Sequence, residues 1–431
     1  MDFLDELRHR ELLQDFTPGL EDHLRDGAPV TAYIGFDPTA PSLTIGNYVP
    51  IMLLKLFQLS GHKPIMLFGG ATGRIGDPSG KDKERELKPV AELEANLAAQ
   101  RAQAQRLLAR PEGRDDLHEV QFVDNYDFYR GVPVLDFLRD VGKTLTVNYM
   151  LSKESVKSRL ESGISFTEFS YQLLQGYDFQ RLYAEYGCTL EMGGSDQWGN
   201  ITAGTEFVRR NLGGKAYGLT APLLTKADGS KFGKSEAGNI WLDPALTSPY
   251  QFYQFWLNAD DRDLPRYLHT FSLRPRLVLD AAVERCSQAR EVRGVKRELA
   301  EELTARIHGE RALHSAATVS KLLFDRRADA EVIADLSVED FAEIAREIPS
   351  ASLPKIELTG AGLPLAELLS DHTAVVASRS EARRAVGANA VSVNKVKATD
   401  PETTITDAHL IHGRYLLVEN GKKNKVLIEA I

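Results

Sequence analysis

Lys231 and Lys234 stand three residues apart in TKADGSKFGKS, a stretch of Asp, Gly and Ser with too few apolar residues to be buried. The composition predicts an exposed, mobile loop. Paired lysines in such a loop are usually solvated; the chemistry open to them is to hold a polyphosphate. A second pair, Lys81 and Arg85, follows the five glycines of GGATGRIGDPSGK, and i,i+4 spacing puts both cations on one helical face. In SYQLLQGYDFQ the residues Tyr171, Gln175 and Asp178 fall at i, i+4 and i+7 of a helix, with Leu173, Leu174 and Phe179 pointing elsewhere. That stripe is either a solvated face or the lining of a pocket for something small, polar and partly aromatic. DPTAPSLTIGNY, from Asp37 to Tyr48, sets a glycine at a strand-to-helix turn. Taken locally, it is an anion site at a helix N-terminus or only a cap, with Asn47 at the N-cap and Pro50 in the first turn.

These groups need elements to carry them. VTAYIGF, KPIMLFGG and EVQFVDN read as buried strands alternating with helical stretches, which predicts a doubly wound α/β domain with a parallel sheet. Ligands in such sheets bind beyond the carboxyl ends of the strands, where GFDPT, GGATGRIGDPSGK and MGGSDQWGN all fall. Three such loops after successive strands predict one ligand cleft.

The 431 residues, 43% hydrophobic and 26% charged, suit a soluble chain of several domains. The N-terminus mixes acids and bases at helical spacing, and no later span approaches membrane length, so a cytoplasmic protein is expected. Cys188 and Cys286 are far apart and without a CxxC or His cluster, which suggests neither a disulfide framework nor a structural zinc site. The formal net charge of −9 is uneven: ten basic residues face nine acidic ones from Ala351 onward, against 42 and 52 before it. The excess of base in the tail is concentrated in RSEARRAVGANAVSVNKVK, with Arg379, Arg383, Arg384, Lys395 and Lys397, and in GKKNK. Between the acidic body and this tail, residues 326–350 read as a mobile linker with one amphipathic helix.

Taken together, YIGFDPTAPSL, GHKPI, GGATGRIGDPSGK, FTEFSYQLLQGYDF, GGSDQWGNI, LTKADGSKFGKS and LDPALTSPYQFYQF resemble the bacterial tyrosyl-tRNA synthetases, class I enzymes, nearly end to end. KFGKS corresponds to the mobile lysine signature of that class and TIGN to its HIGH signature, with Thr44 and Asn47 replacing both histidines. The resemblance implies a Rossmann-like parallel-sheet catalytic domain over 1–220 with a dimerisation insertion. It further implies a lysine loop and α-helical anticodon-side domain over 221–325, the linker 326–350, and a small α+β RNA-binding domain over 351–431. It implies that the carboxylate of L-tyrosine attacks the α-phosphate of ATP, assisted by Mg²⁺, and that the tyrosyl group then passes to tRNA(Tyr). Tyr33 and Asp178 are expected at the phenolic hydroxyl, and Asp77, Tyr171, Gln175 and Gln197 at the ammonium. Thr39, Lys81, Arg85, Lys231 and Lys234 are expected at the phosphates; Gly35, Asp37, Thr44, Gly46, Asn47, Gly194 and Asp196 complete the nucleotide site, with Asp196 on the ribose. Ile34 stands where many relatives carry a polar ribose contact. The five basic residues of the tail would contact tRNA, and a homodimer is implied. The missing histidines keep a second reading open, an RNA-binding or regulatory homologue with a degenerate signature. Activation of tryptophan is a third; Tyr33 with Asp178 suits a phenol better than an indole.

Overall fold

The computed structural model describes residues 2–79, 87–153, 156–157, 163–235, 238–325, 327–421 and 424–431. Lys81 and Arg85 lie outside the described residues. The chain forms two compact units: residues 1–247 with 259–299, and residues 248–258 with 300–431.

The first unit is built on six strands: β1 (Asp15–Phe16), β2 (Thr31–Phe36), β3 (Lys63–Phe68), β4 (Gln121–Asp124), β5 (Cys188–Gly194) and β6 (Tyr217–Ala221), in the order β1-β6-β5-β2-β3-β4. All pair in parallel except the short β1 edge. The expected strands are present, and the β-branched and aromatic run of β2 lies at the centre, buried at Ala32, Tyr33, Ile34 and Phe36. The chain winds from β2 outward to β3 and β4, then returns to the other side as β5 and β6. The strand order therefore reverses between β2 and β5, the place where an open α/β sheet leaves a crevice.

Two helices frame that crevice. The helix Ile45–Leu59 follows β2, and its apolar run buries Ile51, Met52, Leu53, Leu54, Leu56 and Phe57. The helix Phe166–Tyr186 begins at Ser165, whose Oγ accepts from Glu168 N at 3.2 Å, and ends at the left-handed Gly187. It crosses the helix Trp198–Phe207 closely: a Cβ on Gly176 would lie 2.4 Å from the Phe207 ring.

In the second unit the helices Pro249–Leu257, Glu310–Phe324, Ala330–Ala334 and Val338–Glu347 precede a five-stranded sheet. After the short pair β7 (Lys234–Ser235) and β8 (Gly238–Asn239) of the first unit, the strands continue as β9 (Ser350–Leu353), β10 (Leu363–Pro364), β11 (Val391–Val393), β12 (Val396–Lys397), β13 (Thr404–Ile405), β14 (Tyr415–Asn420) and β15 (Asn424–Ala430). The sheet order is β12-β11-β14-β15-β9.

The segment expected to be a mobile linker differs. Residues 330–347 hold two helices rather than one, and they are part of the unit's core. Phe341 stacks on Tyr415 at 4.8 Å, His412 Nε2 reaches Leu336 O at 2.6 Å, and Gln251 Nε2 donates to Glu347 at 3.1 Å. Two of the acidic residues of this segment serve as caps: Ser337 and Asp340 form a capping box, and Asp329 accepts from Val332 N.

Candidate active site

A cavity of about 690 Å³ opens at the carboxyl ends of β2, β3, β5 and β6. Its deep end is made of buried polar groups. Asp178, 1% exposed, accepts from Asn125 Nδ2 at 2.9 Å and from the Tyr129 hydroxyl at 2.7 Å. Burial pushes its carboxyl up to about 8, the two hydrogen bonds opposing that shift. Tyr33 points from the middle of β2 to the same region, its ring 5.3 Å from Phe179. Burial, then the neighbouring Glu191, raise its hydroxyl well above the ordinary tyrosine value. The sequence reading paired Tyr33 with Asp178; in the strand register its direct neighbour is Glu191 of β5, itself buried and raised to about 7. Tyr33 and Asp178 both line the cavity without bonding each other.

Nearer the middle, the expected helix stripe is present but its members are engaged separately. Tyr171 donates to Asp37 Oδ2 at 3.0 Å, and Gln175 Nε2 to Glu191 Oε1 at 2.7 Å. Asp37 also accepts from Thr72 Oγ1 at 2.6 Å, and Thr72 in turn accepts from Asn125 Nδ2 at 3.0 Å. Asp77 accepts from Gln197 Nε2 at 3.0 Å and from Ser79 N at 2.9 Å. One polar network thus runs from Tyr171 through Asp37, Thr72 and Asn125 to Asp178. Asn125, Thr72, Tyr129 and Glu191 were missed in the sequence. Asn125 had a signal, since it directly follows β4 on the ligand edge of the sheet. Glu191 had one as well, as an acid in the middle of the apolar strand CTLEMGG.

The glycines of this edge serve carboxylates. A Cβ on Gly69 would sit 2.0 Å from Asp37 Oδ1, and one on Gly70 2.2 Å from Asp124 Oδ1. Gly194 likewise makes room for Asp196 Oδ1 at 2.7 Å, so the space expected for a nucleotide is shared with that side chain. Asp196 lines the cavity, and burial raises its carboxyl. Gly35 and Thr39 are exposed at the cavity wall.

At the open end stands TIGN. The helix begins earlier than expected: Thr44, not Asn47, is the N-cap. Thr44 Oγ1 accepts from Asn47 N at 3.3 Å, and Asn47 Oδ1 receives both Thr44 N at 3.0 Å and the Thr44 hydroxyl at 2.8 Å. This closed capping box commits the hydroxyl proton of Thr44 and leaves the amide Nδ2 of Asn47, on the cavity wall, as the donor of the pair. Pro50 falls in the second turn and removes the hydrogen bond that the Gly46 carbonyl would accept in an unbroken helix. Around Gly46 an added Cβ meets only Thr44 Oγ1, at 3.5 Å, so the space in front of it is open.

The lysine loop lies against this helix start. Ile45 N donates to Ile240 O at 2.9 Å, and Ile240 N to Gly233 O at 3.0 Å. Gly233, at φ +84°, packs so close that a Cβ would be 2.9 Å from Ile45 Cγ2 and 3.3 Å from Gly46 N. Phe232 is buried against Tyr267 and Phe271, and Phe271 stacks on Tyr48. Lys231 and Lys234 remain exposed; Lys231 lines the cavity, and Lys234 does not. Among the described residues, then, the cavity has an acid- and amide-lined interior and a mouth bearing a helix N-terminus and a lysine, an arrangement fit for a zwitterion inside and an anion outside.

Residues 25–325 match the model of class I tRNA synthetases (W and Y), and residues 342–428 match that of a tyrosine–tRNA ligase SYY-like C-terminal domain. The chain belongs to the tyrosine–tRNA ligase family of class I synthetases. A tyrosine–tRNA ligase of Bacteroides fragilis is 46% identical over the whole of both chains, and one of Amoebophilus asiaticus is 48% identical over 99% of each. Among solved structures, a C-terminally truncated mitochondrial tyrosyl-tRNA synthetase of Aspergillus nidulans matches with a TM-score of 0.66 and 30% identity, over 75% of this chain and 94% of that one.

The basic residues of the family's C-terminal domain divide in this chain. Arg384 and Lys397 are exposed; Arg379 is exposed but paired with Asp371 and Glu367, and Arg383 with Glu402. Lys395 is turned inward, its side chain 7% exposed, and donates to Glu419 at 2.9 Å and to Leu322 O at 2.8 Å. Its expected contact with RNA is corrected by this geometry: the ammonium caps the end of the Glu310–Phe324 helix instead.

Proposed function

We propose that the cavity between β2 and β5 binds L-tyrosine with its ring inward and ATP at the mouth, and so performs the tyrosine–tRNA ligase reaction of the family. The observation that carries this reading is the burial of Tyr33, Asp178 and Glu191 at the closed end. A hydroxyl and two carboxyls removed from water suit a phenol and leave the side chain of phenylalanine without the partners they need. Tyr171, Gln175, Asp77 and Gln197 then surround the substrate ammonium, and Asp196 takes the ribose. The tyrosine carboxylate attacks the α-phosphate, the bond to pyrophosphate breaks, and tyrosyl adenylate forms without a covalent enzyme intermediate.

Such a step depends on positioning and on charge stabilisation at the leaving group. Lys231 and Lys234, with Thr39, Gly46 and the Asn47 amide, face that charge in this reading, and Lys81 and Arg85 are proposed for the same role; Gly35 and Asp37 line the nucleotide site, and Thr44 acts by holding Asn47. Mg²⁺ would neutralise charge on the phosphates. Asp37 and Asp77, in the middle of the cavity, are hydrogen-bonded to neighbours, and no cluster of three His, Cys, Asp or Glu residues among the described ones could hold a metal; in this reading the ion arrives with ATP.

Arg379, Arg383, Arg384 and Lys397 would contact tRNA phosphates, adding affinity more than base recognition. Val134, Leu135, Leu138, Val147 and Phe166 are exposed apolar residues grouped after β4, and they support a homodimer through that insertion. No helix among the described residues is long and apolar enough to cross a membrane, and a tRNA substrate favours the cytoplasm. Tyrosine-dependent exchange of pyrophosphate into ATP tests the reading. The wild-type chain should exceed a Lys231→Ala/Lys234→Ala control by at least the two orders of magnitude that one lost transition-state donor typically costs, about 3 kcal/mol. Equal rates would favour the degenerate-signature reading.

A further inference from the structure

Glu191 and Tyr33 are register partners on the parallel strands β5 and β2, so their side chains leave the sheet on the same face, beneath the Phe166–Tyr186 helix. Glu191 is 2% exposed and accepts from Gln175 Nε2 through Oε1. Its Oε2 and the Tyr33 hydroxyl are buried side by side with no partner but each other, and Gln175 Oε1 is buried with none. All three residues line the cavity. A buried amide oxygen without a donor is costly unless a ligand supplies one.

We propose that Glu191 is a positioning residue for tyrosine: by accepting from the Gln175 amide it turns the Gln175 carbonyl oxygen toward the substrate ammonium, while its second oxygen orders the Tyr33 hydroxyl beside the phenol. The inference rests on the tyrosine reading of the cavity. An amide whose nitrogen is held by a carboxylate must present its oxygen on the other side; were that amide to flip, its N–H groups would face the ammonium, which has only donors. The groups facing Glu191 are Tyr33 from β2, Gln175 and Asp178 from the helix, and the buried thiol of Cys188 on its own strand. None is a cation. The incoming ammonium is therefore the first positive charge near this carboxyl, which burial has raised to about 7, and it favours the ionised form. Binding of tyrosine should expel a proton from Glu191.

Calorimetric titration of the full chain with L-tyrosine between pH 6 and pH 8, in buffers of different ionisation heat, tests this. The wild type should bind about fivefold more tightly at pH 8 than at pH 6 and release protons near pH 7. Glu191→Gln, nearly isosteric, should still bind tyrosine but lose most of that dependence; what remains belongs to Asp178. Identical pH profiles in the two proteins would overturn the role of Glu191 and leave the tyrosine site standing. Should the variant not fold, the same titration of Asp178→Asn decides, since tyrosine binding there without proton release at pH 7 also overturns the role of Glu191. A wild type that binds no tyrosine at any pH would overturn the underlying reading of the cavity.

Discussion

Asp178 and Glu191 are carboxyls taken out of water, and the chain bears the cost of that in the absence of a ligand. In the unfolded state both would titrate near 4; in the folded state they titrate at about 8 and about 7. Between these values the folded chain holds protons that the unfolded chain has lost, so stability falls as pH rises from about 4 toward 8, by up to about 1.4 kcal/mol per pH unit for each proton held. Thermal unfolding without ligand should show this slope, and Asp178→Asn should reduce it. The same variant should discriminate less well between tyrosine and phenylalanine in pyrophosphate exchange, as should Tyr33→Phe, an effect for which tyrosine-activating enzymes are the standing illustration. Unchanged selectivity in both would remove the phenol from this end of the cavity. The i, i+4, i+7 stripe of Tyr171, Gln175 and Asp178 was legible because it is local to one helix. The partner of Tyr33 was not, since it depends on which strand lies beside β2, a pairing made across more than 150 residues of chain.

The helix start and the lysine loop form one device at the next scale. Gly233 occupies a left-handed conformation, and its absent side chain lets the loop backbone rest on Gly46. Gly233→Ala is strained at φ +84° and would push against Ile45 and the Gly46 N–H. It should slow adenylate formation at least tenfold while leaving the affinity for tyrosine alone nearly unchanged, because the deep end of the cavity does not touch the loop; equilibrium binding beside single-turnover kinetics separates the two. A large loss of tyrosine affinity would place the loop in a different role. In the sequence, TIGN reads as a cap at Asn47, three residues beyond the N-cap that the structure shows. The capping box explains the displacement: Asn47 at the third helical position looks like an N-cap by residue type, yet Thr44 also satisfies the rule and lies first in the chain. Propensity could not choose between them; the bridge from Thr44 to Trp241, two hundred residues away, fixes where the strand-like backbone stops.

For the whole molecule, the sequence announced a parallel sheet, a helical part and a basic tail, and all three are present. It placed a mobile linker between the last two because acidic, Ser- and Pro-containing segments are usually solvated, whereas here two of those acids cap helices and Phe341 stacks on Tyr415. Truncation near Pro349 should therefore do more than lower transfer of tyrosine to tRNA. The remaining helices of the second unit should melt in a separate transition at lower temperature than the intact unit, while pyrophosphate exchange, housed in the first unit, persists; differential scanning calorimetry with an exchange assay checks both. A single unchanged transition would restore the linker. The division of the chain has a consequence for synthesis. It passes from one unit to the other after Thr247, Asn258 and Leu299. The helix Pro249–Leu257 thus leaves the ribosome with Phe252 and Trp256, both fully buried in the finished protein, long before residues 300–431 exist to cover them. The helix Glu310–Phe324 that packs on it follows roughly 50 to 70 residues later, a wait of roughly 3 to 14 s at ordinary elongation rates. For that interval the nascent chain displays two large aromatic side chains to the cell, which makes this short helix the natural place for a chaperone to hold.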